Sequence, residues 1–158
     1  MFGFDIQTLP VLIRSSLAAK LEAIAYQSGN KVSVQAGFIV RSAFFFSEDN
    51  QDDTSGAMRE AISYLLFLVW LMVRGAFQRL VGQPVRAVKY GRKKGKIGPF
   101  AKAEMPATET FDTILVRLPQ ERVERLTIIA QAHNATVAEV AGYYLAAELD
   151  LYEEKTAE

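Results

Sequence analysis

Residues 113–118 show the clearest pattern of apolar and polar positions in the chain, a strict alternation. Such alternation predicts a β-strand with one buried face, because successive side chains point to opposite sides of a strand. A single short strand leaves its hydrogen-bonding groups unpaired, so we expect a partner strand, most simply from a second copy of the chain. The expected inward residues are Ile114, Val116 and Leu118, and the expected outward residues are Thr113, Leu115 and Arg117.

Two helices are predicted directly after this strand. Pro119 suits the first position of a helix, and apolar residues then recur every three or four positions up to His133. Thr136 and Glu139 form the capping-box pattern that begins a second helix. Residues 111–152 are therefore predicted to fold as strand, helix, turn and helix, and the acidic tail behind them is expected to fray.

The first 47 residues show a weaker version of the same pattern. The stretch FDIQTLPVLIRSSLAAKLEAIAYQSG is similar to FDTILVRLPQERVERLTIIAQAHN, provided that a small insertion is allowed. Pro10 lies inside the expected strand, where a proline removes a hydrogen-bond donor from the ladder. Residues 1–47 are thus either a degenerate second copy of the C-terminal unit or an unrelated helical hairpin. In the first case, the two halves pair within one chain or each pairs with a second chain.

The middle of the chain divides into three segments by composition. Residues 48–56 form a polar, acidic loop. Residues 57–82 are predicted to form a helix whose centre, ISYLLFLVWLMV, is apolar on every side. Its apolar run is shorter than the about 20 residues needed to span a membrane. We therefore expect the rest of the protein or another subunit to bury this helix, and the alternative is a helix that lies on a membrane surface. Residues 83–104 combine glycines with basic side chains, which favours a hairpin or a flexible basic arm.

Composition and charge narrow the class of protein. Half of the 158 residues are hydrophobic, and 18 basic and 18 acidic side chains give a net charge of zero. The charges are segregated, since the C-terminal unit is acidic whereas basic residues cluster at 74–103. Cysteine is absent, which excludes disulfides and thiolate metal sites. The N-terminus lacks the positive region of a signal peptide, so we expect a cytoplasmic protein. From the predicted elements we expect a mainly α fold with short β-strands.

Catalysis is not expected from this sequence. The single histidine, His133, lies at the end of a predicted helix, and no carboxylate pair, serine–histidine pair or metal-ligand spacing is found. The stretch GRKKGKIG lacks the glycine spacing and the Gly-Lys-Ser/Thr ending of a phosphate-binding loop. We therefore expect no metal ion and no cofactor, and a function in binding.

The stretches ILVRLP, VERLTIIAQAHN and ATVAEVAGYYLAAEL together resemble the ribbon-helix-helix family of DNA-binding proteins, over about a quarter of the chain. In that family, two strands pair as an antiparallel ribbon that enters the major groove of DNA. The resemblance implies that Thr113, Leu115 and Arg117 contact bases, although the middle position is usually polar in the family. It also implies that the start of the second helix, at Thr136, binds a phosphate.

An acidic C-terminal unit is poorly suited to a polyanion, whose affinity comes largely from phosphate contacts. The basic run, with Tyr90 and Phe100 nearby for base stacking, is a candidate source of those contacts. Alternatively, the run is a solvated loop, or it docks onto an acidic partner such as the chain's own acidic tail or the 48–53 loop. The residues of the run with expected phosphate contacts are Arg92, Lys93, Lys94 and Lys96.

Two functions follow from this reasoning. The first is a homo-oligomeric DNA-binding protein, with RNA as an alternative ligand, of the kind found among transcriptional regulators and plasmid or phage accessory factors. The second is a non-catalytic assembly or docking module, in which the ribbon-helix-helix unit serves oligomerisation.

Overall fold

The computed structural model describes residues 5–45, 47, 62, 65–66, 69–70, 72–73 and 89–155. The prediction of a mainly α protein with short β is confirmed, since four helices accompany two antiparallel two-stranded sheets in the described part. In chain order the elements are β1 (Ile6–Arg14), α1 (Ser15–Ser28), α2 (Val32–Phe45), β2 (Lys89–Arg92), β3 (Phe111–Pro119), α3 (Gln120–Ala132), α4 (Val137–Asp150) and β4 (Tyr152–Lys155).

The strands β1 and β3 pair along their whole length as an antiparallel ribbon. The strand that the alternating pattern predicts at 113–118 is therefore present, and its partner comes from the same chain rather than from a second copy. Pro10 lies opposite Leu115 at the centre of the register. The ribbon tolerates this proline because alternate N–H groups of a two-stranded pair point away from the partner and make no ladder bond.

The two halves of the chain have the same order of strand, helix and helix. No insertion separates their elements, so the small insertion expected from the sequence is wrong. It came from aligning the two Phe-Asp pairs, whereas the structure makes Gln7, not Asp5, the counterpart of Asp112. Counterparts lie 105 positions apart, as the element starts show: Ile6 and Phe111, Ser15 and Gln120, Val32 and Val137.

The turn between the two helices also repeats at this spacing. Gly29 has a φ of 66° and Asn134 a φ of 50°, so both occupy the left-handed region. Glycine and asparagine are the residue types that end helices most readily in this conformation. The two turns therefore set the same change of direction between the helices of each half.

The inward face of the ribbon and the four helices enclose one hydrophobic core. Val11 and Val116, which are counterparts, are both fully buried, and so are Leu21 and Leu126 on the first helix of each half. Complete burial of a side chain of this size contributes about 1.5–3 kcal/mol. Because both halves contribute to the same core, formation of the ribbon and burial of the helices are coupled.

The second sheet joins the basic segment to the C-terminal tail. β2 pairs antiparallel with β4, and the N–H of Lys93 donates to the carbonyl oxygen of Leu151 at 2.8 Å. The described part of residues 83–104 therefore differs from the expected hairpin or flexible arm, and the tail is ordered as far as Lys155. An ion pair between Lys93 and Glu153 accompanies this pairing, so the basic run meets the chain's own acidic tail, which is one of the alternatives that the sequence leaves open.

Seven residues of the predicted 57–82 helix are described, and all seven are helical. Their side chains keep 46% to 68% of their surface exposed, so the rest of the described chain does not bury them. Burial by another subunit stays a prediction, and the other residues of this helix, like the 48–56 loop, lie outside the described residues. None of the helices in the described part is long and apolar enough to cross a membrane. The seven are Ile62, Leu65, Leu66, Val69, Trp70, Met72 and Val73.

Candidate nucleic-acid interface

The candidate interface is the outward face of the β1–β3 ribbon, and all six of its central side chains are exposed. Three of them are the outward residues expected from the sequence, and the structure places these beside three counterparts from β1. Sequence reasoning missed the β1 residues, and the signal that points to them is the 105-residue spacing of the repeat. Across the ribbon, Thr8 faces Arg117, Pro10 faces Leu115, and Leu12 faces Thr113.

Two glycines, one from each half, bring the second helix of each unit against the back of the ribbon. A Cβ atom added at Gly37 would lie 1.9 Å from the carbonyl oxygen of Arg117. One added at Gly142 would lie 3.3 Å from the carbonyl oxygen of Leu12. Thus α2 packs behind Arg117 and α4 packs behind Leu12, so each end of the interface has a helix directly beneath it.

The interface has two ends that a pseudo-twofold axis relates. The axis passes between Pro10 and Leu115, because the register is centred on that pair. We call the part with Thr8 and Arg117 the Arg117 end, and the part with Leu12 and Thr113 the Leu12 end.

At the Leu12 end, the start of α4 already holds a carboxylate of the same chain. The N–H of Thr136 donates to the carboxylate of Glu139 at 2.6 Å, and the N–H of Glu139 donates to the hydroxyl of Thr136 at 3.2 Å. The predicted capping box is therefore confirmed. The backbone hydrogen bond from Thr136 lowers the pKa of Glu139, with smaller contributions from the Thr136 hydroxyl and Lys102. A phosphate at Thr136, as the family resemblance implies, would have to displace this carboxylate.

At the Arg117 end, the start of α2 has the opposite charge. Lys31 is the counterpart of Thr136, its side chain is exposed, and the first turn of α2 contains no acidic residue. Six residues separate Lys31 from Gly37, a rise of about 9 Å along the helix, which places the start of α2 near the Arg117 end. Sequence reasoning did not single out Lys31.

Two residues of the predicted basic arm form ion pairs within the chain. Arg92 pairs with Glu148, whose side chain is only 2% exposed, and Lys93 pairs with Glu153. The side chains of Lys94 and Lys96 are exposed. Two residues of the basic run, Arg92 and Lys93, thus bind acids of the same chain. The other two, Lys94 and Lys96, face solvent.

Phe100, one of the two aromatic residues expected to stack on bases, is 4% exposed. Its ring makes edge-to-face contacts with His133 and Tyr143, with centroid distances of 5.4 Å in both cases. Tyr90 is half-buried, and its N–H donates to the side chain of Gln27 at 3.1 Å. Phe100 is thus part of the packing between α4 and the linker from β2 to β3 (residues 93–110), and it has no face available for a base.

The linker that leads into β3 runs beside the Leu12 end. Together with α4 and the end of the ribbon, it encloses an open cleft of about 730 Å³, which Leu12 and Met105 help to line. Glu104 and Glu109 also line this cleft. Arg14 and Lys102 line the cleft too, but they pair with Asp150 and Glu139. The Leu12 end is therefore apolar and its flanking cations are paired with acids, whereas the Arg117 end carries Arg117 and Lys31 beside the exposed Asp5.

Comparisons with protein-family models, curated proteins and solved structures give no match for this chain. Within the described ranges, no group of three or more His, Asp or Glu side chains is placed to hold a metal ion.

Proposed function

We propose that the chain binds duplex DNA through the outward face of the β1–β3 ribbon, as its resemblance to the ribbon-helix-helix family implies. The observation that supports this most is the separation of the two faces of the ribbon. Its six outward central side chains are exposed, while the inward ones pack into the core beneath. The major groove is about 12 Å wide and accepts a two-stranded ribbon, whose strands lie about 5 Å apart.

The side chains of this face match the groups on base edges. Arg117 has the fork geometry for bidentate bonds to the O6 and N7 atoms of guanine. Thr8 and Thr113 can donate or accept a hydrogen bond or touch a thymine methyl group, and Leu12 and Leu115 can pack on such methyl groups. Base reading on this account combines one charged contact with several apolar ones.

Phosphate contacts come from cationic side chains outside the ribbon. Lys31 is the nearest candidate, and Lys94 and Lys96 are exposed candidates on the segment after β2. Arg92 and Lys93 are weaker candidates, because binding a phosphate would mean giving up Glu148 and Glu153. We propose a modest, salt-dependent affinity in which few phosphates are neutralised.

One chain supplies both strands of the ribbon, where the family uses two chains. The DNA-binding unit on this proposal is therefore a single chain, and any homo-oligomer forms through other surfaces. The biological setting that fits is a cytoplasmic transcriptional regulator or a plasmid or phage accessory factor, with no chemistry of its own.

A second candidate function is a protein-docking or assembly module, and exposed apolar side chains favour it. On the ribbon, Leu12 is 51% exposed and Leu115 is 53% exposed. The helical residues between 62 and 73 add further exposed apolar surface. Large exposed apolar patches of this kind commonly mark sites of protein association.

The experiment that tests the proposal is a titration of a labelled mixed-sequence DNA duplex at several salt concentrations, read by fluorescence anisotropy. We expect binding that weakens steeply with salt, and a salt slope that falls by about one when Lys31 is changed to alanine. Lys102→Ala is the matched control, since Lys102 pairs with Glu139 at 3.8 Å and is expected to leave the slope unchanged.

The ribbon itself is tested by Arg117→Ala, which should weaken the preference for duplexes that carry the guanine, while the salt slope stays nearly the same. Absence of duplex binding at low salt contradicts the proposal. Self-association that resists salt and is lost in Leu65→Gln, measured by light scattering on a chain that binds no duplex, supports the assembly function instead.

A further inference from the structure

We infer that the ribbon reads an asymmetric DNA site, in which guanine recognition and phosphate contact fall in one half of the site. This inference rests on the proposed function and goes beyond it, because it states which kind of sequence the chain binds. It follows from the register of the ribbon and from the charges at its two ends.

The register makes the two strands equivalent in position but not in chemistry. Rotation about the pseudo-twofold axis exchanges Thr8 with Thr113, which leaves that position unchanged. The same rotation exchanges Leu12 with Arg117. One end therefore presents the guanidinium group of Arg117, and the other end presents the apolar side chain of Leu12, which is 51% exposed.

This difference decides what sequence the chain prefers. Two identical strands related by a twofold axis meet two identical half-sites, which is why dimeric DNA-binding proteins recognise palindromes. Here the half-site under Arg117 gains from a guanine, by about tenfold to a hundredfold over other bases. The half-site under Leu12 gains nothing from a guanine and favours a thymine methyl group instead.

The flanks of the ribbon differ in the same direction. At the Arg117 end, Lys31 adds a positive charge beside the start of α2. At the Leu12 end, Glu139 occupies the start of α4, and Glu104 and Glu109 lie along the cleft. The two cations of that cleft, Arg14 and Lys102, are paired with Asp150 and Glu139. Because phosphate contact follows positive charge, we expect the DNA backbone to be held more tightly at the Arg117 end. Base contacts and backbone contacts thus coincide in one half-site.

The test is a binding selection from a library of randomised DNA duplexes, carried out in parallel with the wild-type chain, Leu12→Arg and Arg117→Leu. For the wild type we expect a non-palindromic motif with a preferred guanine in one half only. Leu12→Arg should add a guanine at the twofold-related position and make the motif palindromic. Arg117→Leu should remove the original guanine. Both residues are exposed, and circular dichroism checks that each variant keeps the wild-type fold.

The outcomes separate this inference from the proposed function. A palindromic wild-type motif, or salt-dependent binding that enriches no motif, overturns the asymmetric site and leaves DNA binding itself in place. Failure to retain any duplex at low salt overturns both. A motif whose guanine stays in Arg117→Leu also overturns the inference, since another group would then read that base.

Discussion

Single residues behind the ribbon set how closely the helices approach it, and Gly37 is the tightest of these positions. A methyl group there would lie 1.9 Å from the carbonyl oxygen of Arg117, so the strand or the helix must move. We expect Gly37→Ala to lower the free energy of unfolding by about 3 kcal/mol, measured by urea denaturation. Gly98→Ala is the control, because a methyl group there would lie 3.9 Å from the hydroxyl oxygen of Tyr143, an ordinary contact. Equal stability of the two variants contradicts this account of the packing.

Glu139 gives the second prediction at the residue scale. Its pKa is lowered in the folded chain, so its carboxylate stabilises the fold above the unfolded value of about 4.3. This contribution is lost as the pH falls through the lower folded value. Glu139→Gln should therefore be less stable than the wild type at neutral pH, and the difference should shrink in acid.

Thermal unfolding of Glu139→Gln and wild type across that pH range measures this difference. A Glu139→Gln effect that is the same at neutral and acidic pH would mean that the capping carboxylate is not its cause.

At the scale of elements, the sequence predicts what local periodicity determines. The strand at 113–118 and the capping box at Thr136 are confirmed, since both depend on residues close together in the chain. Contact between the basic run and the chain's own acidic tail is one of the alternatives that the segregated charges suggest, and the β2–β4 pair provides it. Its strand register could not be predicted, because the pair joins segments about 60 residues apart. The partner strand of β3 was left open, because Pro10 weakens the local strand signal of β1.

The ion pair between Arg92 on β2 and Glu148 on α4 gives the prediction at this scale. Removal of the Arg92 side chain leaves the buried carboxylate of Glu148 without its ion-pair partner, which costs several kcal/mol in a fully buried pair. Because the Arg92 side chain is 33% exposed, we expect a smaller loss of about 2 kcal/mol for Arg92→Ala in urea denaturation. Lys94→Ala, at an exposed neighbour, should stay within about 0.5 kcal/mol of the wild type. A loss of stability that is no larger in Arg92→Ala than in Lys94→Ala would mean that the ion pair between Arg92 and Glu148 does not stabilise the fold.

At the scale of the whole molecule, the main result is that both strands of the ribbon come from one chain. The sequence predicts three outward residues of β3 and leaves open which strand faces them, because local pattern carries no information about a distant partner. The structure also changes the interpretation of the basic run, since Arg92 and Lys93, expected to contact phosphates, form ion pairs with acids of the same chain. Intramolecular pairing has a high effective concentration, which favours it over pairing between chains.

The most direct test of this central claim uses the absence of cysteine in the chain. Leu12 and Thr113 face each other across the ribbon, at a Cα separation that a disulfide can bridge. Oxidised Leu12→Cys/Thr113→Cys should therefore run as a monomer with an internal cross-link on a non-reducing gel. The out-of-register variant Leu12→Cys/Arg117→Cys should not close this cross-link, because its cysteines are about 13 Å apart along the ribbon. Cross-linked dimers, formed by the double variant or by a mixture of the two single variants, would contradict a ribbon made within one chain.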